Sequence, residues 1–163
     1  MSPPTAYDVL VGRLDYPLAI VTTAAQGQRA GCLVGFWTQC SIDPTRHLVC
    51  VSDKNHTFRA LEHGANALVV HVVPADGGAL AELFGGKTGD EIDKFARCDW
   101  SEGPLGIPVL DACRSWFAGR IVDRVRLGDH IGYVVEPFEV RAEDDRDPYT
   151  LSLAKEIQPG HEA

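Results

Sequence analysis

The sequence predicts a mainly-β chain whose strands close, or nearly close, into an antiparallel barrel. At least five short strand-like runs occur with few helices between them, and closure is the arrangement that leaves no sheet edge exposed. Regular strand–helix alternation is missing. So is the glycine-rich phosphate turn that a doubly wound parallel sheet would carry. No linker, repeat or low-complexity segment divides the 163 residues, so 1–163 reads as a single domain.

Taken in order, residues 5–13 predict a first helix, with Val9 and Leu10 spaced to face a core and Gly12 weakening its end. Ala19-Ile20-Val21-Thr22-Thr23 is β-rich, and Ala25-Gln26-Gly27-Gln28 is a turn. Residues 30–38 then read as one further strand. Ile42-Asp43-Pro44-Thr45 signals a turn before His47-Leu48-Val49-Cys50-Val51-Ser52. Residues 67–73 are continuously apolar, as suits a strand buried on both faces. Residues 79–84 form a helix that Gly85-Gly86 stops, and residues 90–95 a second short one. Residues 115–125 and 130–140 return to strand, joined by a turn at Leu127-Gly128-Asp129-His130. Residues 142–147 form a solvated charge run, and residues 149–157 a closing helix.

Lys plus Arg number 15 against 23 for Asp plus Glu, a formal charge of −8 that disfavours nucleic acids and anionic membranes. No apolar run reaches membrane-spanning length: residues 65–74 come closest and are interrupted by Asn66 and His71. Met1-Ser2-Pro3-Pro4-Thr5 lacks the basic flank and apolar stretch of a secretory signal. The five cysteines are odd in number, and none form a C-x-x-C pair. They read as reduced structural thiols in a cytoplasmic protein, with a Cys–His nucleophile unsupported by spacing. The histidines make no ligand set, so no metal is assigned.

Three stretches can carry chemistry. Around Ser52, a strand ends and a helix begins, with Asn55 or Thr57 as cap. Ser52, Lys54, Asn55, His56 and Thr57 gather hydrogen-bond donors there, a phosphate cradle or an ordinary polar turn with a routine cap. In Gly31-Cys32-Leu33-Val34-Gly35-Phe36-Trp37-Thr38-Gln39-Cys40-Ser41, the glycines mark close approach of a backbone or ligand. Phe36 and Trp37 can flank an aromatic ligand while Thr38, Gln39 and Ser41 bond its polar edge; a bulged strand with two core aromatics fits equally well. Gly128-Asp129-His130 places an imidazole at a strand start, where it can serve a ligand or simply the fold.

The order of Trp37-Thr38-Gln39-Cys40-Ser41-Ile42-Asp43-Pro44, residues 49–52, Phe84-Gly85, Asp93-Lys94-Phe95, Pro108-Val109-Leu110 and Gly128-Asp129-His130 resembles the flavin reductase-like, FMN-binding split-barrel family. The resemblance spans residues 16–140. It implies a Greek-key split β-barrel with a few short peripheral helices, usually a homodimer with flavin near the subunit interface. It also implies an NAD(P)H-dependent flavin reductase, passing hydride from nicotinamide C4 to N5 of FMN or FAD, often for a partner flavin-dependent monooxygenase.

Carried over by position, the resemblance implies that Val34, Gly35, Phe36, Trp37, Thr38, Gln39 and Ser41 line the isoalloxazine ring. By the same carry-over Ser52, Lys54, Asn55, His56 and Thr57 hold the ribityl phosphate, and Phe84 packs beside the cofactor. His130 takes the catalytic position near flavin and nicotinamide. Phe36-Trp37-Thr38-Gln39 is bulkier than the small residues usual there, which opens a second reading as an electron carrier that retains FMN. A non-catalytic flavin-binding module is the third.

Overall fold

The computed structural model describes residues 2–155, Ile157 and Gly160. The first helix, α1 (Ala6–Val11), is shorter than expected and begins at a capping box: Thr5 accepts from the Asp8 amide while the Asp8 carboxylate accepts from Thr5. It buries no residue, and Val9 and Leu10 are 49% and 60% exposed. The apolar face predicted to meet a core instead faces outward.

Strand β1 (Ala19–Ala25) turns through Gln26-Gly27 into β2 (Gln28–Val34). Both turn residues have positive φ, 52° and 78°, as a two-residue hairpin with the natural strand twist requires. Alternation buries both faces of β1: Ala19 and Val21 enter one apolar cluster, Ile20 another. In β2, a Cβ at Gly31 would lie 2.8 Å from the Phe84 ring, so this glycine answers to a close packing neighbour.

The expected strand over residues 30–38 is broken. β2 ends at Val34, and β3 (Trp37–Ser41) pairs instead with β4 (Arg46–Ser52) on the far side of the sheet. Gly35-Phe36 is the crossing between two sheet edges, and a single strand cannot occupy both. Helix α2 (His56–Glu62) and strand β5 (Ala67–Val72) follow. Leu68 and Val70 point into the barrel and Ala67 and Val69 into a separate outer cluster, so β5 is buried on both faces as its apolar run predicts.

Helix α3 (Gly78–Gly85) stops at Gly86. The second short helix expected over residues 90–95 is a single 3₁₀ turn at Lys94–Ala96, capped by Asp93. The sequence pattern also missed a small ribbon of β6 (Trp100–Glu102) and β7 (Pro108–Leu110), each only three residues long. Strands β8 (Ser115–Arg126) and β9 (His130–Ala142) form a long hairpin with two register shifts, and such bulges bend strands around a barrel.

The main sheet has order β2-β1-β5-β8-β9-β4-β3, every pair antiparallel. It curls until Cys32 and Val34 of β2 meet Val49 and Val51 of β4 in one core with Ile131, Tyr133 and Val135. Yet β2 and β4 are not neighbours in that order, so the barrel is split along the seam between them. Closure is therefore by packing there and by hydrogen bonding elsewhere, the Greek-key split barrel the resemblance implies.

The charge run over residues 142–147 is not simply solvated. Arg146 donates to both Asp144 oxygens and to the Ala112 carbonyl, and pairs with Asp76. The closing helix is a 3₁₀ turn at Leu151–Ala154; Glu156, within the expected helix, lies outside the described residues. All five cysteines are free: Cys32 and Cys113 buried, Cys50 and Cys98 half-buried, Cys40 exposed on β3. Among the described residues, no helix is long and apolar enough to cross a membrane.

Candidate functional site

The seam between β2 and β4 opens into a cavity of about 380 Å³. Cys32, Leu33 and Val34 form one wall, Cys50, Val51 and Ser52 the other, and the Gly35-Phe36 crossing closes an end. Asn55 and His130 stand beside Ser52, so an apolar slot ends in a polar corner. That combination of apolar lining and a few converging polar groups is the usual make-up of a small-molecule site, and the volume falls in its usual range.

The corner is built by sheet register. Ser52, last in β4, sits opposite His130, first in β9. His130 Nδ1 lies 2.8 Å from the Asp129 carboxylate; a carboxylate only accepts, so Nδ1 carries the hydrogen and Nε2 is the ring's remaining polar atom. The His130 bond, aided by the charges of His130 and Lys54, holds the Asp129 carboxyl below its usual range. The Phe36 ring packs tilted against His130 with centroids 5.2 Å apart. The Asp53 amide donates to the Asp129 carbonyl, and Arg126 bridges Asp53 and the Gly128 carbonyl, locking the two loops together.

Beyond Asp53, three amides of the loop after Ser52 are spent within it. Lys54 N–H donates to Ser52 Oγ, Asn55 N–H to the Ser52 carbonyl, and Thr57 N–H to Asn55 Oδ1. Of the two caps the sequence offers, Asn55 is the one used, and Thr57 lies inside the helix. Of the amides supposed for a phosphate cradle, those of Lys54, Asn55 and Thr57 are therefore committed.

Of the residues singled out in sequence, Val34, Gly35, Phe36, Ser52, Asn55 and His130 come together around the cavity. Lys54 is exposed and does not line the cavity, though its charge acts on Asp129 beside His130. Thr57 is wholly buried, its hydroxyl beside the Cys32 thiol and without a partner of good geometry, so it belongs to the interior. His56 turns to the Asp90 carboxylate, 2.9 Å away, and Arg59 pairs with the same carboxylate. It borders a different, polar groove with Arg29 and Lys94.

Trp37 donates from its indole to the Pro17 carbonyl and packs on His47. With Thr38 and Gln39 it lines a separate groove beneath α1. Ser41 borders neither space, because β3 runs away from the seam. Phe84 is 1% exposed, packed against Phe95 and Gly31, and does not line the slot.

Sequence reasoning missed Tyr16, Leu18, Cys50, Gly85, Leu151, Ala154 and Ile157, which also line the cavity. Most are apolar residues in unremarkable contexts, and only the return of the C-terminal segment to the barrel brings them together. Burial pushes the Cys50 thiol up, which disfavours the thiolate that nucleophilic chemistry needs.

The family pattern described as flavin reductase like domain matches residues 11–156. An FMN reductase (NADH) RutF of Ancylobacter novellus is 32% identical over 76% of this chain and 67% of its own length. The 4-hydroxyphenylacetate 3-monooxygenase reductase component of Salmonella typhimurium is 29% identical over 71% of this chain and 68% of that protein. In three dimensions, the NADH:FAD oxidoreductase SgcE6 of Streptomyces globisporus superposes with a TM-score of 0.79 at 20% identity, covering 86% of this chain and 83% of that one. The chain spans about two-thirds of the length of these curated relatives, and it belongs to the flavin reductase-like family.

Proposed function

We propose that this chain, acting as one domain, is an NAD(P)H-dependent flavin reductase whose flavin, FMN or FAD, occupies the seam cavity. The carrying observation is the slot itself: two facing apolar strand walls for a flat ring, and a polar corner of Ser52, Asn55 and His130 for its hydrophilic groups. The relatives named FMN reductase (NADH) and NADH:FAD oxidoreductase support the same chemistry. When bound, flavin supplies the hydride acceptor.

This chain's residues supply position. β2 and β4 hold the ring plane, and the Gly35 and Phe36 amides, outside both neighbouring ladders, are available to polarise a ring edge. The Asp129-oriented His130 stands at the polar corner, where it can align the nicotinamide. Lys54 brings a cation beside the corner for the phosphate.

Reductase is favoured over a flavin-retaining carrier because the expected aromatic shield is incomplete. Trp37 is tied away to Pro17, and Phe36 is 57% exposed. A second copy of the chain would cover the outward apolar face of Tyr7, Val9, Leu10 and Leu14, which supports a homodimer. The Salmonella relative, named as the reductase component of a monooxygenase, supports supply of reduced flavin to such a partner.

NADH oxidation followed with excess free FMN or FAD should show many turnovers per protein. A single stoichiometric bleaching would favour the carrier, and no flavin binding the non-catalytic module. Lys54→Ala should weaken FMN binding about three- to tenfold while leaving riboflavin unchanged, with the difference fading in high salt. Fluorescence titration of both ligands checks this, and equal weakening would remove Lys54 from the phosphate site.

A further inference from the structure

We propose that residues 149–154, with Ile157, form a retaining wall of the seam cavity, latched by Asp15, and that this latch sets how long flavin stays bound. The inference rests on the flavin reading above. Leu151, Ala154 and Ile157 line the cavity, although no strand of the barrel carries them. Without them, the slot between β2 and β4 would lose an apolar side.

Two points of this wall are held differently. Tyr149 is the fixed point: the residue is 5% exposed, its N–H donates to the Val73 carbonyl at 2.7 Å, and its carbonyl accepts from the Leu18 amide at 2.8 Å. Three residues on, the hold is in water. Ser152 donates from its N–H to one Asp15 oxygen at 2.9 Å and from its hydroxyl to the other at 2.8 Å. Those two donations keep the exposed Asp15 carboxyl below its usual range.

Between these points the Leu151 amide donates to the carbonyl of Tyr16, itself a cavity residue. Hydrogen bonds exposed to solvent open more readily than buried ones. The wall is therefore fixed at Tyr149, whose hydroxyl also donates to the Leu153 carbonyl at 2.9 Å, and loosens at Leu151 and Ser152 when Asp15 lets go. Tyr16, Gly35, Phe36 and Leu151 border both the slot and the groove beneath α1, so displacement of Leu151 joins the two spaces and gives flavin an exit.

Asp15 touches no cavity surface, which lets the latch be tested apart from the chemistry. With the full chain, FMN release is timed by the recovery of free-flavin fluorescence on dilution. Asp15→Ala should speed release about tenfold, while hydride transfer from NADH at saturating FMN stays within about twofold of the parent. Leu151→Ala should also speed release, and FMN should slow hydrogen exchange at the Leu151 and Ser152 amides of the unaltered protein. Unchanged release in both variants, with normal binding and turnover, overturns the latch and leaves the reductase reading intact. An unaltered chain that neither binds nor reduces flavin overturns both.

Discussion

Replacing His130 by alanine is expected to lower kcat/KM for NADH by about 10- to 100-fold while FMN affinity changes by no more than about threefold. The asymmetry follows from where the side chain stands. His130 forms one polar corner of a slot whose large surfaces are Leu33, Val34 and Val51, so the ring's apolar contacts survive its loss. What disappears is an imidazole of fixed orientation, held by Asp129 at 2.8 Å and by the Phe36 ring at 5.2 Å. A small misplacement of reacting groups is enough to cost two orders of magnitude in rate.

Asp129→Asn should have a smaller effect of the same kind, because it leaves the imidazole present and loosens only its hold. Steady-state kinetics with varied NADH, beside a flavin titration, separates the two quantities. Equal losses in both would assign His130 to flavin binding instead.

Much of the frame was legible in the sequence because its signals are local. The Gln26-Gly27 turn, the apolar run over residues 67–73, the glycines closing α3 and a cap at Asn55 or Thr57 each depend on neighbours in the chain. The break at Gly35-Phe36 was not legible. Residues 30–38 keep strand-forming character throughout, and only the choice of partner, β1 before the break and β4 after it, divides them.

The site shows the same division. Ser52, Asn55 and His130 could be picked out because polar residues at strand ends stand out against apolar runs. Trp37 and Phe84 were assigned to the ring by position in a motif, yet each is claimed by another partner: Pro17 for the indole, Phe95 and Gly31 for the phenyl ring. Leu151 and Ala154 carry no chemical signal at all. Their place in the wall depends on backbone bonds to Tyr16 and Leu18, far away in sequence.

His71, which in sequence merely interrupts an apolar run, is expected to make the fold acid-sensitive. It is wholly buried, with Nδ1 2.9 Å from the Ile20 carbonyl and Nε2 accepting from the Leu110 amide at 3.1 Å. Only the neutral ring with its hydrogen on Nδ1 satisfies both. A second proton on Nε2 would face the Leu110 N–H, donor against donor, and would pull β7 from the barrel; Thr22 Oγ bonded to the Pro108 carbonyl would be left to hold it. Burial accordingly pushes the His71 pKa down from 6.5 to about 4.

Since the folded value is the depressed one, the contribution to stability is complete above pH 6.5 and is lost as pH falls toward 4. In full it amounts to about 3 kcal/mol, of which about 2 kcal/mol should vanish between about pH 7.5 and pH 5. Asp90 and Asp144, held near 2, lose their contributions only below the ordinary carboxylate pKa, outside this window. Half-buried His47 shifts in the same direction as His71, so a difference measurement is needed. His71→Gln retains a donor and an acceptor without titrating. Urea unfolding at the two pH values should show the variant less stable at neutral pH but losing less than about half as much on acidification. Equal losses in both proteins would move the acid sensitivity to other groups, and His71 would then be a packing residue whose charge state does not matter.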